Sequence, residues 1–196
     1  MIIDQTPPQT KSERLMAVGY ELFCRHGIRR VSVEEICRQS GVSKMTFYKY
    51  FQNKTDIALR IMEYLYDQGF ETVEQIWEDK GPFIDKLTRT MVWKKELMTR
   101  FSFEFVQDII NSSDPVLHAY LDRMKTRSMI FFENILNQAQ ERGEIRSDLS
   151  VPFLVAVIEG LQHMLDNERF LKLFDSPRDM QDQLFTLFYY GVLPRS

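Results

Sequence analysis

An ammonium, a phenol and a thioether stand side by side in KMTFYKY, residues 44–50. At about 100° per residue, Met45, Tyr48 and Lys49 share one face of a helix, with Thr46 at its flank, while Phe47, Tyr50 and Phe51 share the other. An outward face of that composition suits the groove of a nucleic acid. Lys meets phosphate or guanine, Tyr donates to phosphate, and Met or Thr methyl groups touch thymine. Enzyme chemistry is not nominated. His118 with Asp122, and Glu159 with His163, sit four apart, but a metal site needs a third and fourth ligand that the spacing does not supply. There is no phosphate-cradling glycine loop, no nucleophile elbow and no HExxH. The chain is therefore read as a non-enzyme with no metal and no cofactor.

The elements that must position that face lie just before it. Ser32 precedes an apolar-periodic run and has Glu35 three residues on, the capping-box spacing that starts a helix. Val33, Ile36 and Cys37 share its inner face. Gly41 closes it, since glycine takes the left-handed conformation of a helix C-terminus without a Cβ clash. Val42 packs inward and Ser43 caps the second helix through its side-chain oxygen. The spacing predicts a helix-turn-helix with 44–51 as its recognition helix; a plain helical hairpin with a solvated outer face is the competing reading of the turn alone. Upstream, Leu15, Met16, Val18, Gly19, Leu22 and Phe23 form the apolar face of a bracing helix over 11–26. Downstream, Asn53-Lys54-Thr55-Asp56 caps a long helix running to about residue 79.

From Arg14 to Ile57 the order and spacing of LF...G (22–27), SVEEI (32–36), GVSK-TFY (41–48), YF (50–51) and NK (53–54) resemble the TetR, or tetracycline-repressor-like, family of bacterial regulators. The resemblance covers about 45 contiguous residues and is far more specific than a generic helix-turn-helix match. It implies that Ser32, Ser43, Lys44, Met45, Thr46, Tyr48, Lys49, Tyr50 and Lys54 face DNA. Tyr48, Tyr50 and Lys54 are assigned to phosphate, Ser32 and Ser43 to caps that also meet the backbone, Thr46 and Lys49 to base edges. Met45 departs from the small residue common there, so no operator sequence carries over. Tyr50 has an inward ring angle.

Charge follows the same division. Residues 1–56 hold nine Lys/Arg against six Asp/Glu, and the other 140 hold 16 against 22. The basic part carries the motif, and the acidic remainder restricts docking to one surface. No apolar run approaches the ~18 residues of a membrane span and the start lacks a secretory pattern, so the cytoplasm is the expected compartment and no membrane the expected partner. Cys24 and Cys37 fit neither a disulfide scaffold nor a zinc site by spacing. Arg29 and Arg30, on the link to Ser32, either touch the DNA backbone or are solvated.

The expected fold is all-α: an N-terminal three-helix helix-turn-helix DNA-binding domain (11–56), preceded by a flexible arm (1–10) and followed by a larger helical regulatory and dimerisation domain (57–196). Helices are predicted from Pro82 to about 98, over 100–110, from Pro115 to about 142, from Val151 to about 174 and from Pro177 to about 192. The last two carry more apolar surface than one protomer's core needs. Phe153, Val157, Gly160, Leu161 and Met164 on one, with Leu184, Leu187 and Phe188 on the other, are candidates for a four-helix bundle with a symmetry mate. Two recognition helices related by a twofold axis would then address a palindromic double-stranded operator.

Family resemblance further implies a small-molecule effector held between the middle helices. Trp93, Phe101, Phe105, Tyr120, Met124, Met129 and Phe132 are candidate walls and Gln162 and His163 candidate polar contacts; the competing reading is that most of the walls are simply core and that the histidine is solvated or hydrogen-bonded. The functional reading is a homodimeric repressor released from its operator by an unidentified effector. Two alternatives stay open on the residues: a constitutive or architectural DNA binder without an effector, and a small-molecule sensor that has lost DNA binding.

Overall fold

A computed structural model describes residues 10–164, 170, 173–174 and 177–193. All regular structure among these residues is helical. In chain order the helices are α1 (Lys11–His26), α2 (Val33–Ser40), α3 (Lys44–Tyr50), α4 (Lys54–Glu78), α5 (Phe83–Met98), α6 (Phe103–Ile110), α7 (Pro115–Glu141), α8 (Val151–Met164) and α9 (Pro177–Val192). Residues 1–9 of the expected arm (1–10) and the expected extension of α8 beyond 164 fall outside the described residues, apart from isolated positions, and Thr10 is the N-cap of α1.

Local chemistry sets most of these ends. Thr10 accepts from Glu13 N at 3.1 Å while the Glu13 carboxylate accepts from Thr10 N at 3.2 Å, a complete capping box that satisfies two otherwise orphaned N–H groups. At α2 only half of the corresponding box forms. Ser32 accepts from Glu35 N at 3.1 Å, but the Glu35 carboxylate turns along the helix to Gln39. Asn53 and Asp56 cap α4 reciprocally, through Asp56 N to Asn53 Oδ1 and Gln52 N to Asp56 Oδ2. Asp114 Oδ1 accepts from Val116 N at 2.9 Å and starts α7 with Pro115 in its first turn. The helix expected from residue 100 begins at Phe103 instead, because Ser102 takes the cap position and accepts from Phe105 N.

The chain divides into two compact units: the described residues of Met1–Glu78 with Arg89–Met124, and those of Asp79–Thr88 with Lys125–Ser196. In the first, Leu15, Leu22 and Phe23 of α1, Ile36 of α2, Phe47 of α3, Ile57 and Ile61 of α4, and Phe105 of α6 form one apolar core. Burying each such side chain contributes about 1.5–3 kcal/mol, so this core is what fixes α3. A Cβ on Gly19 would lie 3.1 Å from Ile61 Cδ1, which shows how closely α1 and α4 pack. The start of α4, just after residue 56, fills the same core through Ile57, Ala58 and Ile61.

In the second unit Phe83, Leu136, Ala139, Ile145, Val151, Leu154 and Val192 are buried. The connector from Gly143 to Leu149 is tied down at three carbonyls. Gln140 Nε2 donates to Arg146 O and Leu149 O, each at 2.9 Å, and Arg146 N donates to Val192 O at 2.9 Å. Among the described residues no helix is long and apolar enough to cross a membrane.

Candidate nucleic-acid interface

The turn between α2 and α3 is built as a rigid corner. Gly41 sits at φ +67°, its N–H donating to Cys37 O, and Val42 N follows onto the same carbonyl at 3.1 Å. Ser43 Oγ accepts from Thr46 N at 3.2 Å and lies 2.9 Å from Thr46 Oγ1. One of the two hydroxyls therefore donates to the other, and the contact fixes the Thr46 side chain beside the cap. Phe47 is fully buried and Phe51 nearly so, their rings 5.5 Å apart. These two rings anchor α3 and force its opposite face outward.

That outward face is the one expected. Met45 is 72 % exposed and Tyr48 57 % exposed; Lys44 and Lys49 are exposed too. Tyr50 departs from its inward ring angle: it is 50 % exposed, because Phe47 and Phe51 already fill the core side and leave no room for a third ring. Large apolar and aromatic groups held in water by a short, well-anchored helix have no packing task in this protomer.

Two of the lysines are already engaged. Lys44 pairs with Glu34 of α2, and that hydrogen bond raises the Lys44 ammonium and lowers the Glu34 carboxyl relative to their ordinary values. Lys54 is half-buried and donates to Arg29 O at 2.9 Å and Val31 O at 2.8 Å; burial lowers its pKa, against the pull of the Asp108 carboxylate. An ammonium has three N–H groups, so one remains to meet a phosphate. Lys54 therefore positions the link before α2 as well as carrying charge.

Arg29 makes a contact that neither reading of it named, while its side chain stays 66 % exposed. Its guanidinium lies 3.3 Å from Asp108 Oδ1 and donates to Asn111 O at 2.9 Å, and its backbone N–H donates to Asp108 Oδ2 at 2.7 Å. The residue straps the reader to α6. Gly27, at φ +79°, makes this approach possible: a Cβ there would lie 2.7 Å from Asp108 Oδ2 and 3.1 Å from Glu104 Cβ. Asp108 was not singled out in the sequence, since its partner Arg29 is 79 residues away and no local pattern marks the pair.

Remaining candidates are placed as follows. Phe101 and Phe105 stack at 5.1 Å in the packing of the reader core. Trp93 lies against Gly69, whose Cβ would be 3.0 Å from the indole. Tyr120 is buried and Met124 half-buried in the first unit, whereas Met129 and Phe132 belong to the second, where Phe132 meets Phe188 at 6.2 Å. The side chains of Leu161, Gln162, His163 and Met164 are outside the described residues. Phe153 and Leu187 are 53 % and 65 % exposed, Val157 and Gly160 are exposed, and Leu184 and Phe188 are half-buried. Tyr190, 71 % exposed on α9, extends this apolar surface and was passed over because the whole segment reads as apolar.

Burial pushes the Cys24 thiol up to about 11, against a smaller lowering by Tyr20, and it raises Cys37 as well. Thiolate is scarce at neutral pH for either, which makes both poor nucleophiles. Among the described residues no three His, Cys, Asp or Glu side chains gather where a metal could bind.

Residues 15–61 match the family model of bacterial regulatory proteins, tetR family. The HTH-type transcriptional repressor DhaR of Mycobacterium sp. (strain GP1) is 22 % identical over 194 residues, covering 93 % of this chain and 92 % of that protein. Two solved structures share the fold along nearly their whole length. FadR from Bacillus subtilis in complex with stearoyl-CoA has a TM-score of 0.68 at 20 % identity, covering 91 % of this chain and 97 % of the other. A regulator from Saccharomonospora viridis in complex with choline has a TM-score of 0.71 at 18 % identity, covering 94 % and 98 %. The family match thus runs from α1 into α4 and takes in both helices of the turn, α2 and α3.

Proposed function

We propose that this chain is a homodimeric repressor of the cytoplasm that holds a palindromic operator through α3 and leaves it when a small molecule binds. It performs no catalytic step. The observation that carries the reading is α3 itself: Met45, Tyr48, Lys49 and Tyr50 are held in solvent by a helix that Phe47 anchors in the core. In this reading residues 11–56 read DNA, and 57–196 respond to the effector and supply the dimer contact. Ser32, Ser43 and Lys54 support the backbone contact, while Thr46 and Lys49 address base edges. A twofold axis spaces two such helices by about one turn of the duplex, ~34 Å, or a multiple of it.

Support for effector release comes from relatives whose structures contain ligands, stearoyl-CoA in one and choline in another. Those ligands are chemically unlike, so the fold alone names no effector. The strap from Arg29 to Asp108 and Asn111 supplies a physical link, because a shift of α6 would be felt at the start of α2. Ligand binding then selects a spacing of the two readers that no longer fits the operator.

Selection from random duplex DNA at near-physiological salt, run beside Tyr48→Ala protein, tests the reading. One palindromic sequence recovered by the wild type and lost by the variant is the expected outcome; equal recovery by both would remove α3 from the interface. On the selected site, Lys49→Ala should chiefly relax sequence preference. Lys54→Ala should weaken binding to all sequences and reduce the salt slope by about one. It should also cost stability, since two carbonyls lose their donor, by about 1–3 kcal/mol. Identical effects of the two substitutions on every sequence would sink the division between base and phosphate contacts.

A further inference from the structure

Within the first unit, one polar atom is left without a task by everything described so far. Tyr120 of α7 is 3 % exposed, and its hydroxyl is buried with no hydrogen-bond partner among the described residues. Buried hydroxyls are nearly always paired, and leaving one unpaired is costly enough that such an atom calls for an explanation. Its surroundings are specific. Tyr66 of α4 donates to Met124 O at 3.1 Å, one helical turn beyond Tyr120, and stacks on Phe70 with ring centroids 5.7 Å apart. Residues 63, 66, 67 and 70 share one face of α4 at helical spacing, which puts the carboxylates of Glu63 and Asp67 on the face that carries Tyr66, with Arg60 3.8 Å from Glu63. The Arg123 guanidinium lies 5.9 Å from the centroid of the Tyr120 ring and is the opposing charge.

We infer that the Tyr120 hydroxyl is the polar anchor of the effector site, and that it takes a mostly apolar small molecule whose head group donates a hydrogen bond, an amine or an alcohol rather than a carboxylate. The inference rests on the effector-release reading and adds the ligand's class to it. A phenol oxygen accepts as readily as it donates, and Tyr66, Phe70 and Met124 offer the apolar body its contacts. The sign of the field decides the head group. Burial comes first, then the carboxylates of Glu63 and Asp67, in holding the Tyr120 phenol well above its ordinary range, with Arg123 only partly offsetting them. The environment therefore resists a further negative charge. An incoming carboxylate would face the same repulsion that the phenolate does, whereas an N–H or O–H donor would not.

Tyr120→Phe keeps the ring and removes only the oxygen. In the full-length, ligand-free protein it should unfold at the same temperature as wild type or higher, because no hydrogen bond is lost; a clearly lower transition would show that the hydroxyl already has a partner and would overturn the inference. Decylamine, 1-decanol and decanoate, matched in chain length, are then titrated into both proteins. Decylamine and 1-decanol should each bind wild type about tenfold more tightly than Tyr120→Phe, the worth of one hydrogen bond in a dry site. Decanoate should bind wild type more weakly than either and be indifferent to the substitution. Preference for the amine over the alcohol would assign the head-group charge, and equal affinity the hydrogen bond alone. Binding of none of the three, preference for decanoate, or head-group discrimination that survives in Tyr120→Phe would each overturn the inference. Operator release measured in the same titrations separates the two readings. Discrimination without release keeps the Tyr120 site and removes effector release, while release driven by decanoate does the reverse.

Discussion

Leu187→Glu is expected to halve the solution mass and to weaken operator binding by about a thousandfold. The leucine is 65 % exposed in the single protomer, so the protomer loses almost no packing when it is replaced. The proposed twofold contact loses a great deal, because a symmetric interface would bury two unpaired carboxylates at once. Loss of the second half-site removes the gain from tethering two readers, which is on the order of 10²–10⁴ in affinity. Sedimentation of the variant together with its helix content provides the check. An unchanged mass would take Leu187 out of the interface, and a lost helix signal would mean that the residue packs within its own protomer.

Gly27→Ala is expected to cost about 3 kcal/mol and to loosen the reader from α6. At φ +79° and ψ 164° the backbone occupies a region that is essentially glycine's alone, and strain there costs about 1–3 kcal/mol. Overpacking against Asp108 Oδ2 at 2.7 Å and the Glu104 backbone at 3.3 Å adds a comparable amount. Urea unfolding of the variant gives the magnitude. Asp108→Asn separates strain from charge: it retains an oxygen to accept from Arg29 N and loses the ion pair, so its cost should be well below that of Gly27→Ala. If both variants were as stable as wild type, the strap would have no mechanical role.

Much of the reader was legible because its determinants are local. The Ser43 cap, the Gly41 corner and the alternation of Phe47 and Phe51 against Met45, Tyr48 and Lys49 follow from spacing within twenty residues, and the observed α3 agrees with them. Ser32 shows the limit of the same reasoning. Its spacing to Glu35 was right for a reciprocal box, yet a competing hydrogen bond to Gln39 captured the carboxylate. Tyr50 shows another limit, since a ring at the boundary of two faces is placed by the volume its neighbours leave, not by its angle.

What could not be read was long-range. Arg29 with Asp108, and Lys54 with Arg29 and Val31, are 79, 25 and 23 residues apart, and charge alone does not choose among partners at such distances. Tyr120 is the extreme case. Its ring was foreseeable as a wall of the middle helices, but an unpaired hydroxyl is a property of the packing around it and leaves no mark on the sequence.

The pairing of Lys44 with Glu34 bears on how such a protein finds its operator. Every phosphate of a genome competes for a basic surface, and a reader too attractive to all of them would linger at wrong sites. Glu34 gives Lys44 an internal rival for those phosphates, so the first turn of α3 adds less to indiscriminate adhesion than its charge suggests. In the proposed reading, only a site that also engages Tyr48, Lys49 and Met45 draws full benefit from displacing the glutamate. On that reading the acidic side chain on α2 would shorten futile encounters and leave the search to be decided by shape and base identity.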